Sequence, residues 1–150
     1  MRAVIQRVSS AKVTVEDAVI AEIKSGLLIL LGIIPEDNHE DINWLSKKIA
    51  NCRIFSDENG VMNNSIIQIN GSALVVSQFT LHASIKKGHR PSYNLAAKSE
   101  IAIPIYENFI ESLQLEIGKP VQTGEFGANM EVQLVNDGPV TIIYDSKNRV

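Results

Sequence analysis

The chain has 150 residues, of which 45% are hydrophobic and 21% charged, and its formal net charge is −3. This composition is typical of a globular protein and excludes a disordered or fibrous chain. One domain, residues 1–150, is expected, because a chain of this length buries about 70% of its unfolded surface in folding. The negative charge argues against a protein that coats DNA or RNA, since such binding needs many Lys and Arg contacts to phosphates.

Several features narrow the cellular setting and the chemistry. No run of about 18 apolar residues is present, so we expect no membrane-spanning helix. Residues 1–7 alternate as a strand does and lack the apolar core of a secretory signal, which predicts a cytoplasmic protein. The lone Cys52 fits a reducing compartment, and packing between a helix and a strand is favoured over a role as nucleophile. His39, His82 and His89 have no Cys or carboxylate partners at zinc-ligand spacing, so no metal is expected. No other cofactor is predicted.

The first third of the chain predicts three strands and a helix. Alternating residues at 4–15 and 19–23 predict a hairpin. The nearly continuous apolar run at 26–34 predicts a central strand that is covered on both faces. From Asn38, apolar residues recur at helical spacing behind acidic residues that complement a helix N-terminus. Trp44 in this helix is expected to pack against the sheet rather than to stack on a nucleobase.

The remainder predicts a second helix among further strands. Residues 73–80 predict an apolar strand, and the next helix is expected to begin at Ser92 or Ser99 and to end at Ile117. Pro104 marks either a break in this helix or its first residue. Three more strands are expected at 121–126, 130–135 and 140–144. Together these elements predict an α/β fold with a mixed sheet.

Polar side chains cluster at the end of the strand at 73–80, in the run Ser-Gln-Phe-Thr-Leu at 77–81. If the chain stays extended to His82, then Gln78, Thr80 and His82 point to one side. From this segment alone, an edge strand with a polar outer face is favoured over an active site. A nucleophile-and-base pair of Thr80 and His82 is a further hypothesis, but no nearby acid orients the histidine.

Two other segments are ambiguous when each is taken alone. The run Asn-Asp-Gly-Pro-Val-Thr at 136–141 predicts a hairpin turn, because Asp-Gly separates two alternating apolar runs. Sequence does not reveal whether the Gly138-Pro139 bond is cis. The basic cluster of Lys86, Lys87 and Arg90 is either a solvated loop or a contact for the phosphates of an RNA end.

Taken together, the runs at 77–81 and 136–141 resemble the paired signatures of the D-aminoacyl-tRNA deacylases of the bacterial and eukaryotic type. The resemblance covers residues 1–145. It is similar in further segments, in the same order: residues 1–8, 53–55, 62–65, 87–92 and 123–130. Small departures occur at Tyr93 and at Ile85-Lys86, and neither touches the two signatures.

This resemblance implies a single-domain fold with a barrel-like mixed sheet and two main helices, assembled as a homodimer. It implies a metal-independent enzyme that hydrolyses the ester between a D-amino acid and the 3′ end of tRNA, with no DNA or membrane partner. Gly138 and Pro139 of one subunit, in a cis turn, would contact the substrate in the other subunit and reject L-amino acids. Glycyl-tRNA would be cleaved as well, because glycine has no side chain to exclude.

The resemblance also implies roles for individual residues. Ser77, Gln78, Phe79 and Thr80 would form the catalytic segment, with backbone N–H groups at Gln78 and Phe79 as the oxyanion hole. The residues implied at the substrate and in the adenine pocket are Ala102, Phe126 and Met130. Two alternatives remain: a non-catalytic tRNA-binding module, and a threonine-dependent esterase of small esters.

Overall fold

A computed structural model describes all residues, 1–150, as eight strands, two α-helices and one 3₁₀ helix. The strands are β1 (Arg2–Val15), β2 (Ala18–Ile23), β3 (Gly26–Gly32), β4 (Phe55–Ser56), β5 (Met62–Asn64), β6 (Ser72–Ser77), β7 (Gln122–Thr123) and β8 (Glu131–Asp145). The helices are α1 (His39–Ala50), the 3₁₀ helix Phe79–His82 and α2 (Ser99–Ile117).

Strand β1 organises the main sheet, whose strand order is β2-β1-β3-β6-β7. It pairs in antiparallel fashion with β2, β3 and β8, whereas β3, β6 and β7 run parallel to one another. Strand β2 also lies close to β6 and β7, so the sheet curls into a nearly closed barrel. The predicted α/β fold with a mixed sheet and two helices is therefore confirmed.

Apolar residues cover both faces of the central strands. On β3, Leu27 and Ile29 pack into a large core with both α-helices, while Leu28 packs into a smaller core on the other face. On β6, Val75 belongs to the large core and Leu74 to the small one. Burial on both faces explains why these strands read as continuous apolar runs rather than as alternating ones.

Helix α1 begins where its sequence predicts. The Asn38 side chain accepts a hydrogen bond from the Glu40 N–H at 2.9 Å, and Asp41 accepts one from the Asn38 N–H at 3.0 Å. These two bonds satisfy backbone donors that have no partner inside the helix. On this helix Leu45 is fully buried, and Trp44 is half-buried with its ring edge-on to Tyr144.

Other predicted boundaries need correction. Of the two predicted starts of helix α2, Ser99 is confirmed, but the helix continues through Pro104, which is neither a break nor the first helical residue. The two-residue strand β4 and the three-residue strand β5 form a small hairpin that the turn-rich sequence did not predict. Cys52 follows α1 and is only half-buried. Neither helix is long and apolar enough to cross a membrane.

The largest difference concerns the end of the chain. Residues 130–144 were predicted as two strands joined by a turn, but β8 is continuous from Glu131 to Asp145. Both halves of β8 pair with the same long strand, β1, so the chain does not reverse between them. The predicted turn is instead a bulge. Residues 137–140 of β8 lie opposite the single residue Arg7 of β1, so they are extra residues without a paired position in that strand.

Candidate active site

A cavity of about 420 Å³ opens at the carboxyl ends of the parallel strands β3 and β6. Ten of its fifteen lining residues are hydrophobic, and its volume is typical of a small-molecule site. Half of the predicted site residues line it: Ser77, Gln78, Phe79, Ala102, Phe126 and Met130. The other half lie outside this lining: Thr80, Lys86, Lys87, Arg90, Gly138 and Pro139.

The segment after Ser77 is a turn, not the extended strand that we predicted. The Gln78 N–H donates the last sheet bond, to the Leu31 carbonyl at 2.7 Å, and β3 ends one residue later. Without a partner strand the chain winds into the 3₁₀ helix, where the Leu81 N–H donates to the Gln78 carbonyl at 3.2 Å. The predicted common face of Gln78, Thr80 and His82 is therefore not formed.

The turn brings Gln78 and Thr80 together, but no hydrogen bond joins Thr80 to His82. The Gln78 Nε2 donates to Thr80 Oγ1 at 2.5 Å. His82 is only 7% exposed, and its Nε2 has no hydrogen-bond partner. The hypothesis of a nucleophile-and-base pair is therefore not supported by this geometry.

His82 lies beneath the end of β3. A side chain at Gly32 would place its Cβ 2.9 Å from His82 Cδ2 and 3.0 Å from the Gln78 carbonyl oxygen, so only glycine lets the turn approach β3 this closely. Burial holds the pKa of His82 below its usual value, and the positive charge of Arg2 acts in the same direction. The Gly32 carbonyl and the Asp37 carboxylate oppose this shift only in part.

The oxyanion hole expected from the resemblance has two unequal donors. The Gln78 N–H is already committed to the Leu31 carbonyl in the sheet. Phe79 is the first residue of the 3₁₀ helix, and the first N–H groups of a helix have no partner inside it. Phe79 lines the cavity, which leaves its N–H as the donor with access to a ligand.

The apolar part of the cavity is built on α2. Ala102 lies in the first turns of this helix and is buried. One turn on, Tyr106 donates from its hydroxyl to the Val75 carbonyl at 3.1 Å and contacts the Phe126 ring edge-on, 5.5 Å between centroids. Burial raises the pKa of Tyr106 to about 12, so this anchor stays protonated. Phe126 and Met130 then complete the lining.

The bulge in β8 contributes no residue to the lining of this cavity. Asp137, Gly138 and Pro139 are exposed, and the Gly138-Pro139 peptide bond is cis. Arg7 holds the bulge from beneath, since its Nε donates to the Asp137 carbonyl at 3.1 Å. The Asn136 side chain accepts a bond from the Val140 N–H at 3.2 Å and closes the bulge.

The basic cluster lies on a closed loop beyond the 3₁₀ helix. Ser84 and Ser92 exchange two backbone hydrogen bonds, of 2.7 and 2.9 Å, which join the two ends of the loop. Lys86, Lys87 and Arg90 are exposed between them and form no ion pair or hydrogen bond within the chain. No group of three or more His, Cys, Asp or Glu side chains lies together in an arrangement that could hold a metal ion.

The sequence matches the family model described as D-Tyr-tRNA(Tyr) deacylase over residues 4–145. The chain belongs to this family. The predicted resemblance is thereby confirmed, and with it the prediction of an enzyme that is a hydrolase.

Individual relatives agree with the family match. A D-aminoacyl-tRNA deacylase of Flavobacterium psychrophilum is 62% identical over 99% of both chains. One of Parabacteroides distasonis is 60% identical over the same shares. The solved structure of a protein named c-Myc DNA Unwinding Element Binding Protein superposes with a TM-score of 0.89 at 40% identity, over 97% of this chain and 98% of that one.

The site of this deacylase family member includes residues that the sequence did not single out. Lys98 lines the cavity just before α2, and its only signal was a basic residue in front of a helix. Arg7 supports the bulge, and its signal was a charged residue inside an alternating strand. The Arg7 Nη1 also donates to the Ile54 carbonyl at 2.6 Å, a contact between distant segments that no local pattern reveals.

Proposed function

We propose that the chain hydrolyses the ester between a D-amino acid and the terminal adenosine of tRNA, releasing free tRNA and the D-amino acid. The observation that carries this proposal is the shared cavity: Ser77, Gln78 and Phe79 line it together with Phe126 and Met130, almost fifty residues away. An apolar wall suits an adenine ring, and a polar strand end suits the ester. The substrate is formed during translation, so the enzyme would act in the cytoplasm.

In the chemical step, a water molecule attacks the ester carbonyl carbon. The bond to the ribose oxygen breaks, and this oxygen takes the proton that the water gives up. The Phe79 N–H stabilises the negative charge that develops on the carbonyl oxygen. One such donor contributes about 2.7–4 kcal/mol to catalysis.

Neither Thr80 nor His82 is well placed to act as the general base. Thr80 Oγ1 already accepts a bond from Gln78, and His82 is buried without a hydrogen bond to Thr80. We therefore propose that the ribose 2′-hydroxyl of the substrate helps to activate the water molecule. Thr80 positions Gln78 at the edge of the cavity instead of attacking the ester.

A second subunit would complete the site. Strand β8 is an edge strand that pairs only with β1, and none of its fifteen residues is buried. Val135 and Ile143 on this strand are 56% and 67% exposed, which is unusual for apolar side chains on a sheet edge. These features support a homodimer in which the bulge of one subunit reaches the cavity of the other.

The bulge would then select the D configuration. Backbone carbonyls of Gly138 and Pro139 accept hydrogen bonds from the substrate ammonium, while the ester carbonyl is held at Phe79. With both groups fixed, an L side chain would strike the bulge and a D side chain would point to solvent. Glycyl-tRNA would also be cleaved, so intact glycyl-tRNA beside hydrolysed D-aminoacyl-tRNA would contradict this geometry.

The proposal is tested with matched D- and L-tyrosyl-tRNA, in the presence of a chelator, with Pro139→Ala in parallel. We expect the wild type to cleave the D ester only and to be insensitive to the chelator. The variant should lose activity or accept the L ester as well. No cleavage of either ester by a folded dimer would contradict the enzyme and favour a tRNA-binding module.

A further inference from the structure

Two aromatic side chains are exposed at the rim of the cavity. Phe79 is 56% exposed and Tyr93 is 40% exposed, and their rings meet edge-on with centroids 5.1 Å apart. Phe79 lines the cavity, so a ligand too long for the cavity would pass over this pair as it extends into solvent. Aromatic rings of this size normally bury much of their surface, and an exposed pair beside a site indicates a binding surface.

The backbone holds this pair in place. Phe79 begins the 3₁₀ helix, which is tied to β3 through the Gln78 N–H. Tyr93 directly follows Ser92, which is bonded to Ser84 in both directions. The same bonds close the basic loop of Lys86, Lys87 and Arg90, which ends directly before Tyr93. The aromatic pair is thus a preformed surface and needs little ordering when a ligand binds.

The segment of the chain that carries the pair has Lys and Arg as its only formally charged residues. Residues 59–99 contain no Asp or Glu, although the whole chain carries 17 acidic residues and a net charge of −3. The Lys and Arg residues in this stretch are Lys86, Lys87, Arg90 and Lys98. A surface that combines rings with unpaired positive charges suits single-stranded nucleic acid, because bases stack on the rings while phosphates meet the cations.

We propose that Phe79 and Tyr93 form a stacking platform for the unpaired nucleotides that precede the terminal adenosine of the tRNA. This inference rests on the proposed function, since the terminal adenosine must occupy the cavity for the preceding nucleotides to reach the rim. Lys86, Lys87 and Arg90 then contact the phosphates that link these nucleotides. Because every base has a π-face, the platform recognises a single strand without reading its sequence.

A second copy of the chain is the other occupant to consider. A symmetric contact across this surface would bring the two basic loops towards each other, and their like charges would repel. The uncovered edge strand β8 offers a better surface for a second copy. The charge around Phe79 and Tyr93 therefore favours RNA.

The test compares two substrates, 3′-O-(D-tyrosyl)adenosine and the D-tyrosyl ester of the trinucleotide CCA. The platform predicts that the wild type has a kcat/KM about 5- to 150-fold higher for the trinucleotide, the range expected from one stacked base. Tyr93→Ala should lose most of this preference and keep its activity on the adenosine ester. Tyr93→Phe should retain the preference, because it keeps the ring.

The outcomes separate this inference from the proposed function. Hydrolysis of neither ester contradicts the proposed function, whereas equal hydrolysis of both by the wild type contradicts the platform alone. If Tyr93→Ala loses activity on both esters equally, Tyr93 shapes the cavity and the platform is wrong. Tyr93→Leu, which keeps apolar volume without the ring, replaces Tyr93→Ala if that variant does not fold.

Two physical measurements complete the test. Sedimentation of Tyr93→Ala should give the same oligomeric state as the wild type, and dissociation would mean that a second copy covers the rings. Lys86→Gln should make binding of CCA less dependent on salt, because each lost phosphate contact lowers the slope by about 0.7 for single strands. Tyr93→Ala should leave that slope unchanged, since stacking neutralises no phosphate.

Discussion

The 3₁₀ helix after β6 and the bulge in β8 are both departures from regular strands, but they are held in different ways. The 3₁₀ helix is anchored at its C-terminal end by its own chain: Arg2 donates to the Leu81 carbonyl at 2.7 Å, and His82 is buried beneath Gly32. The bulge is held only from beneath, by Arg7 and Asn136, and its outer surface is exposed.

This difference suggests that the 3₁₀ helix and the bulge have different functions in the site. A group that must place a hydrogen-bond donor within a few tenths of an ångström is best supported by a packed interior. A group that must reach another subunit has to remain on the surface. We therefore expect changes in the bulge to alter substrate selection, and changes in the 3₁₀ helix to alter the rate or the stability of the chain.

The largest effect should come from Gly138→Ala in the bulge. Gly138 has a φ of 124°, and an added Cβ would lie 2.9 Å from Arg7 Nη2 and 2.9 Å from Val140 Cγ2. The strain should lower the free energy of unfolding by about 1–3 kcal/mol. Displacement of the bulge by about 1 Å should lower cleavage of D-tyrosyl-tRNA roughly 10²-fold, measured well below the unfolding temperature.

Gly60→Ala is the matched control for this variant. Gly60 also has a positive φ, of 76°, but no atom lies within 4 Å of an added Cβ there. Gly60→Ala should lower the free energy of unfolding by about 1–2 kcal/mol and leave the deacylation rate unchanged. Equal loss of activity in both variants would mean that Gly138 acts only through general stability, and the proposed contact with the substrate would be wrong.

The fold was predictable wherever local pattern and long-range pairing agree. Apolar residues alternate in β1 and β2 and recur at helical spacing in α1. Each of these patterns depends only on which face of that one element is buried. The turn after Ser77 was not predictable in this way, because the strand ends where its partner β3 ends at Gly32. Likewise, the Asp-Gly sequence in β8 favours a hairpin, and only the length of β1 keeps the chain extended.

The site shows the same limit. Ser77 to Phe79 could be singled out from a polar strand end, whereas Phe126 and Met130 have no local signal and were named from the family resemblance. Their convergence depends on the packing of α2 and on Tyr106, which fixes the position of Phe126. The resemblance also named the Gln78 N–H as an oxyanion donor, yet that group is occupied by the Leu31 carbonyl.

An intermediate effect is expected at His82, and it should depend on pH. The pKa of His82 is lowered in the folded chain, so below pH 6.5 the unfolded chain binds more protons at this position. The stabilising contribution of the neutral ring is complete above pH 6.5 and is lost as the pH falls from 6.5 through the lowered pKa. His82→Gln has no such group, so its stability should change less over this window.

Chemical denaturation of wild type and His82→Gln between pH 7.5 and 5 measures this effect. His39 and His89 are present in both proteins, so the difference between them reports on His82. The wild type should lose more of its free energy of unfolding than the variant does. If the free energy of unfolding changed equally with pH in both proteins, His82 would titrate alike in the folded and unfolded chains. Its burial beneath Gly32 would then have no effect on its protonation.

The smallest effect is expected at Thr80. In Thr80→Ala the Gln78 side chain loses one hydrogen bond, of a kind worth about 0.5–1.5 kcal/mol, so kcat should fall by about tenfold at most. Thr80→Ser, which keeps the hydroxyl, should be close to the wild type. If Thr80 attacked the ester, Thr80→Ala would bind D-tyrosyl-tRNA and show no turnover, while Thr80→Ser would form a covalent acyl-enzyme. Single-turnover kinetics with both variants distinguish a positioning hydroxyl from a nucleophile.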